Sequence, residues 1–361
     1  MSTTTTVLTS VSTTTQASIQ IITTQITYYG PIILLIIGIT GCLCNFITFT
    51  SPQLRKTSCA FYFLLSAVFE LLSITFGLIS RFAADHLDST LINTDRTYCK
   101  LRAYLVSALP LVATYFVLLS SIDRCMSSSV SARLRSFSQR KIAYRVSVMA
   151  IILGFISCIH IVIGYDLRPR CGALAGAFAM YDSMFVVFWL GIIPHVLMLI
   201  FGFITLMNIR RTKQRIAIKS TTINTTGSAQ QQQQQQRHEQ KTNAQLIMMM
   251  LFQVGFSSLL VLTRMIYYAY YVLGPQPIGY DKLVGSFLMS FTTLVYYANY
   301  CKSFYIYTLT SQLFRSAFTN RIKFCIRKIL GQRMIPILRD NTINTIQTPV
   351  NNHGQHNDEH K

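Results

Sequence analysis

The stretch "YLVSALPLVATYFVLLSSIDRCMSSS", residues 104–129, decides the fold. Nineteen residues, Tyr104 to Ile122, pass without a charge, and then Asp123 and Arg124 arrive together. An apolar run of that length matches the hydrocarbon thickness of a bilayer, which takes roughly 20 helical residues to cross. A charge pair closing it either marks the membrane edge, with the arginine snorkelling to phosphates, or performs a task there.

Composition settles the wider setting. Of the 361 residues, 51% are hydrophobic and 12% charged, where a soluble domain carries about 25% charged residues. The chain is therefore read as an integral membrane protein. Seven stretches are long and apolar enough to span: Tyr28–Phe49, Thr57–Ser80, Cys99–Cys125, Ile142–Tyr165, Ala179–Ile209, Asn243–Val272 and Leu283–Leu309. Only helices and closed barrels satisfy their backbone in lipid, and these runs are too long for barrel strands. The expected fold is an all-α bundle of seven transmembrane helices.

The net charge of +20 would suit a nucleic-acid binder, but its distribution argues otherwise. Most lysines and arginines fall after spans one, three and five and after span seven, including Arg55, Arg133, Arg210 and Arg315. The other side holds Arg81, Arg96, Lys100, Arg102, Arg168, Arg170 and Lys282. By the positive-inside rule the N-terminus is outside and the C-terminus inside, and no nucleic-acid partner is expected.

The flanks read as follows. Residues 1–27 are rich in Ser and Thr and are expected to be a disordered extracellular segment without a cleavable signal peptide. The connection 212–240 contains seven glutamines, Gln230–Gln236, and is expected to be a disordered cytosolic loop. Residues 310–330 read as an amphipathic helix lying on the inner membrane face, and 331–361 as a disordered cytosolic tail. Cys325, on the amphipathic stretch, is a candidate for palmitoylation.

Nine cysteines form no zinc spacing. Cys99, at the outer mouth of span three, and Cys171, in the outer connection between spans four and five, face the oxidising side and can form a disulfide. With Asp123-Arg124-Cys125 at the inner end of span three, the pattern resembles the rhodopsin-like G-protein-coupled receptors over residues 28–325. Asn45 in GCLCNFITF matches that family's helix-one Asn, and Pro194 in LGIIPHVLM its helix-five Pro. Tyr307, followed seven residues later by Phe314, matches the helix-seven Tyr and the helix-eight Phe.

The resemblance implies a Cys99–Cys171 disulfide and an activation switch of Asp123, Arg124 and Tyr307. Asn45, Glu70, Pro194, Asn299, Ser303 and Phe314 would be structural motif positions. Departures are plain: Ser303-Phe304 stands where the family has Asn-Pro, so helix seven loses its kinking proline, and helix six has no proline at all. Glu70 stands near the usual helix-two Asp, and Ala113 where a Ser often completes a sodium site, so sodium modulation is not expected. Divergent invertebrate peptide receptors resembling FMRFamide receptors show such patterns.

The implied activity is transduction of an extracellular ligand to heterotrimeric G proteins at the plasma membrane, with no cofactor. An enzyme is not indicated, because no phosphate-cradling glycine loop, HExxH or nucleophile elbow is present. A seven-helix transporter or channel is the alternative, with Glu70, Arg264 and Lys302 as its mid-membrane charges. Among ligands, Val106 stands where amine receptors carry an Asp, and Tyr297 where retinal receptors carry a Lys. Arg102, Asp182, Arg264, Tyr267 and Tyr268 suit a peptide end, although tyrosines at this depth commonly form an interfacial aromatic belt.

Overall fold

The computed structural model describes residues 2–52, 54–55, 57–129, 131–167, 170–220, 227–275 and 278–330. The long helices are α1 (Ser2–Phe49), α2 (Ser58–His86), α4 (Arg96–Ser127), α6 (Arg140–Ser157), α9 (Ile193–Ser220), α10 (Gly227–Leu273), α11 (Tyr280–Cys301) and α13 (Gln312–Leu330). Between them lie the shorter α3 (Leu91–Thr94), α5 (Ala132–Phe137), α7 (Ile159–Gly164), α8 (Ala177–Met184) and α12 (Ser303–Thr310). Six spans are long and apolar enough to cross a bilayer, and α11 with α12 supplies the seventh. The protein is a seven-helix, multi-pass membrane bundle.

Its surface is that of a protein solvated by lipid. Met149, Ile163 and Phe203 are 69%, 76% and 63% exposed, on spans four and five, and belong to continuous apolar faces that water would not tolerate. Inside, Phe49, Phe63, Met249, Met250, Tyr307 and Phe314 form one buried cluster. Ile74, Leu78, Tyr297 and Tyr300 form the next, around mid-bundle.

Local signals set the helix starts. Thr57 caps α2 by accepting from Ala60 N, and Asp95 caps α4 by accepting from Thr97 N at 2.8 Å and Tyr98 N at 3.3 Å. Gln245 of α10 reaches across to α13, its Oε1 accepting from Leu313 N at 2.6 Å and Ser311 Oγ at 3.2 Å. Those bonds serve a helix terminus whose first N–H groups have no partner of their own. Strands β1 (Tyr165–Leu167) and β2 (Cys171–Ala173) pair antiparallel, and Cys171 is bridged to Cys99 with a Cα–Cα distance of 5.7 Å. That bridged end is the outer end below.

Helix α1 begins at Ser2, ahead of Tyr28, and within it Thr23 and Thr27 bond back to the carbonyls of Ile19 and Thr23 at 2.7 and 2.9 Å. No Gly or Pro interrupts residues 2–29. The polyglutamine run lies in α10, in keeping with glutamine's good helix propensity. The seventh span is interrupted at Lys302 despite lacking proline. The tail 331–361 lies outside the described residues.

Two units can be separated, Met1–Phe318 and Thr319–Lys361. The first contains every group discussed below except Cys325, which lies on the part of α13 in the second.

Candidate functional site

At the inner end, Asp123 and Arg124 are buried, at 6% and 3% exposure. Arg124 donates through Nη2 and Nε to Asp123 Oδ2, at 2.6 and 3.2 Å. The other carboxylate oxygen, Oδ1, accepts from Ser58 Oγ at 2.6 Å and Ser138 Oγ at 2.7 Å. Charge-assisted bonds of this kind are about twice as strong as neutral ones. An arginine snorkelling to lipid would present its head to water; this one is turned inward onto its neighbour. Beside the pair lies a cleft of about 410 Å³ lined by Ser127, Arg135, Ser138 and Arg140 as well as Arg124.

Tyr307 does not join the pair. Its ring packs against Phe49, Phe63 and Phe314 with centroids 5.7, 5.0 and 5.6 Å away. Phe314 is fully buried in the same cluster, so these two motif positions share one packing role.

The motif residues of mid-bundle form a polar core. Glu70, 3% exposed, accepts from Ser303 Oγ at 2.6 Å and Ser66 Oγ at 3.1 Å, and Asn45 Nδ2 donates to Ser303 Oγ at 3.1 Å. Lys302 Nζ donates to Asn299 Oδ1 at 2.6 Å, Ser257 Oγ at 2.8 Å and Asn299 O at 2.8 Å. The last bond falls where α11 gives way to α12, at Lys302. Glu70 and Lys302 act on each other electrostatically across this core. A cavity of about 10 Å³, no larger than one water, is lined by Glu70, Thr114, His195, Gln253, Ser257 and Asn299.

Pro194 sits just beyond a π-helical segment, Phe185–Ile192, where the Ile193 N–H bonds Phe188 O. The wider turn accommodates a proline that would clash with the carbonyl four residues earlier. His195 uses Nδ1 toward Gly191 O at 2.7 Å.

At the outer end Arg264 is half-buried, donating to Thr292 Oγ1 at 3.2 Å, with Met289 Sδ at 2.7 Å and Tyr268 beneath its Cζ at 5.2 Å. Tyr267 donates to Gly285 O at 3.0 Å, and Arg102 Nε to Ser80 Oγ at 3.2 Å. Val106 is half-buried on α4. Asp182 is buried and held by Tyr165 OH at 2.9 Å and His160 Nε2 at 3.3 Å. Tyr297 lies against Gly77, where an added methyl would come within 2.3 Å of the phenol oxygen.

The Cys99–Cys171 bridge ties the β-hairpin to α4. Removing a native disulfide typically costs about 2–5 kcal/mol, so Cys99→Ala should sharply reduce surface expression. Equal surface levels by antibody labelling would contradict a structural role for the bridge.

Several of these partners have no sequence signature. Ser58, Ser138 and Gln245 lie 65, 15 and 68 residues from their partners Asp123 and Leu313, so only tertiary structure joins them. Lys302 was visible as a charge inside an apolar run, but its engagement with Asn299 was not.

No family model and no curated protein sequence matches the chain. Among solved structures, the crystal structure of squid rhodopsin matches with a TM-score of 0.67 at 14% identity, over 90% of this chain and 93% of the squid chain. The chain thus has the rhodopsin fold, a seven-helix bundle.

Proposed function

We propose that the protein is a G-protein-coupled receptor of the plasma membrane that passes an extracellular signal to heterotrimeric G proteins. The observation that carries this reading is the buried Asp123–Arg124 pair, beside a cleft at the inner end of a rhodopsin-type bundle. Such a pair is a two-state element: ligand binding need only shift its populations, and no chemistry is performed. Two of the three mid-membrane charges on which a transporter would rely are engaged within the core, Glu70 by Ser66 and Ser303, and Lys302 by Asn299 and Ser257.

We infer a peptide as the ligand class. Tyr297 replaces the lysine a retinal Schiff base requires, and Val106 the aspartate an amine requires. The outer half instead offers guanidinium and phenol groups from Arg102, Arg264, Tyr267 and Tyr268. Screening a peptide library against expressing cells, with cAMP and calcium readouts, tests the reading. With an agonist in hand, Arg264→Ala at normal surface expression should weaken potency by roughly tenfold or more, the worth of one charged contact. Unchanged potency would remove Arg264 from the ligand site.

A further inference from the structure

The cationic groups of the outer half are more numerous than the acids that could neutralise them. Arg81 pairs with Asp85 at 3.3 Å and also donates through Nη2 to Ser290 Oγ at 3.3 Å. Arg102 bonds Ser80, the residue beside Arg81. Arg264 bonds Thr292, two positions from Ser290 on the same helix. The three guanidiniums thus converge where α2, α4, α10 and α11 meet.

Asp85 serves Arg81, Asp166 serves Arg96 and Asp182 is held by Tyr165 and His160, while Asp88 and Asp281 are exposed to solvent. Among the described residues no carboxylate forms an ion pair with Arg102 or Arg264. Arg264 is satisfied only by a hydroxyl, a thioether and a ring face. A partly desolvated guanidinium without an acid is held at a cost, and a planar carboxylate is the group its fork fits best.

We propose that this site takes the carboxylate of an anionic ligand, held by Arg264 with Arg81 and Arg102 as the surrounding field. The inference deepens the receptor reading above: the peptide presents a free C-terminal carboxylate or an acidic side chain rather than an amidated, neutral end. A ligand of that kind would supply the counter-charge that the bundle itself withholds from Arg264.

The test reads the charge of the site without needing the ligand or signalling. Met289→Cys places a thiol beside Arg264, and whole cells are labelled from outside with methanethiosulfonate reagents carrying either a sulfonate or a trimethylammonium group. Labelling of the parent receptor is subtracted, and each rate is referred to that of a free thiol in solution. The sulfonate should be favoured by on the order of tenfold or more, as a cationic cleft concentrates anions. The preference should fall several-fold in an Arg264→Gln background. If Met289→Cys does not reach the surface, Ser290→Cys reports from the same turn. A ratio at or below one, or no labelling by either reagent, would overturn the proposal. Charge preference and G-protein coupling are separate readouts, so loss of the first in a coupling-competent receptor removes only this inference. A strong preference in a protein that never couples would remove only the receptor reading.

Discussion

Lys302→Met, made alone, is expected to strip most of the protein from the cell surface. The ammonium is the only cation bonded within the polar core among the described residues, and Glu70 lies in the same core at 3% exposure. Removing the ammonium leaves the buried acceptors Asn299 Oδ1 and Ser257 Oγ without their donor, at a cost of about 1–3 kcal/mol for each group left unsatisfied. That is comparable to much of the net stability of an ordinary domain. Glu70→Gln alone should fail in the opposite sense, stranding the lysine. The double variant Glu70→Gln/Lys302→Met carries neither charge and should recover much of the lost expression and thermal stability. Equal melting temperatures for the wild type and Lys302→Met would show that the two charges do not depend on each other. A double variant no better than the worse single one would locate the loss in packing instead.

Arg124→Ala should abolish G-protein activation while leaving ligand binding largely intact. Asp123→Asn should raise activity without ligand, since it keeps the size of the side chain and removes its charge. Each hydrogen bond to a charged group contributes roughly 1.5–3 kcal/mol. Loss of the Arg124 contacts would therefore shift the resting equilibrium by about ten- to a hundredfold. Ser58→Ala and Ser138→Ala each remove one bond to Asp123 Oδ1 and should produce smaller rises in the same direction. An arginine that merely snorkels to phosphates predicts no effect of Asp123→Asn. Basal signalling can be compared across the five proteins by cAMP and calcium readouts at matched surface expression.

How much of this was legible in the sequence depends on the range of the interaction. The seven spans follow from uncharged runs such as Tyr104–Ile122, because the bilayer imposes one length and one polarity on each. Cys99 and Cys171 could be paired because the charge pattern puts both on the oxidising side, and they are bridged. Lys302 bonds the Asn299 carbonyl where α11 gives way to α12, a contact that no propensity records. Asp182 is held by His160 and Tyr165, partners that charge and position alone do not reveal. The motif marks Tyr307 but does not give its packing among Phe49, Phe63 and Phe314.

The receptor reading stands or falls on whether the inner end of this bundle drives nucleotide exchange. The direct measurement is GTP-analogue loading of purified Gα subunits, representing each major class with βγ, by the purified protein in lipid nanodiscs. Asp123→Asn is the form to use, because it should be active without an identified ligand. The account predicts exchange on at least one Gα class above the wild-type level, abolished when Arg124→Ala is added to the same chain. A well-folded Asp123→Asn protein that accelerates exchange on no Gα class, or one whose activity survives Arg124→Ala, would contradict it.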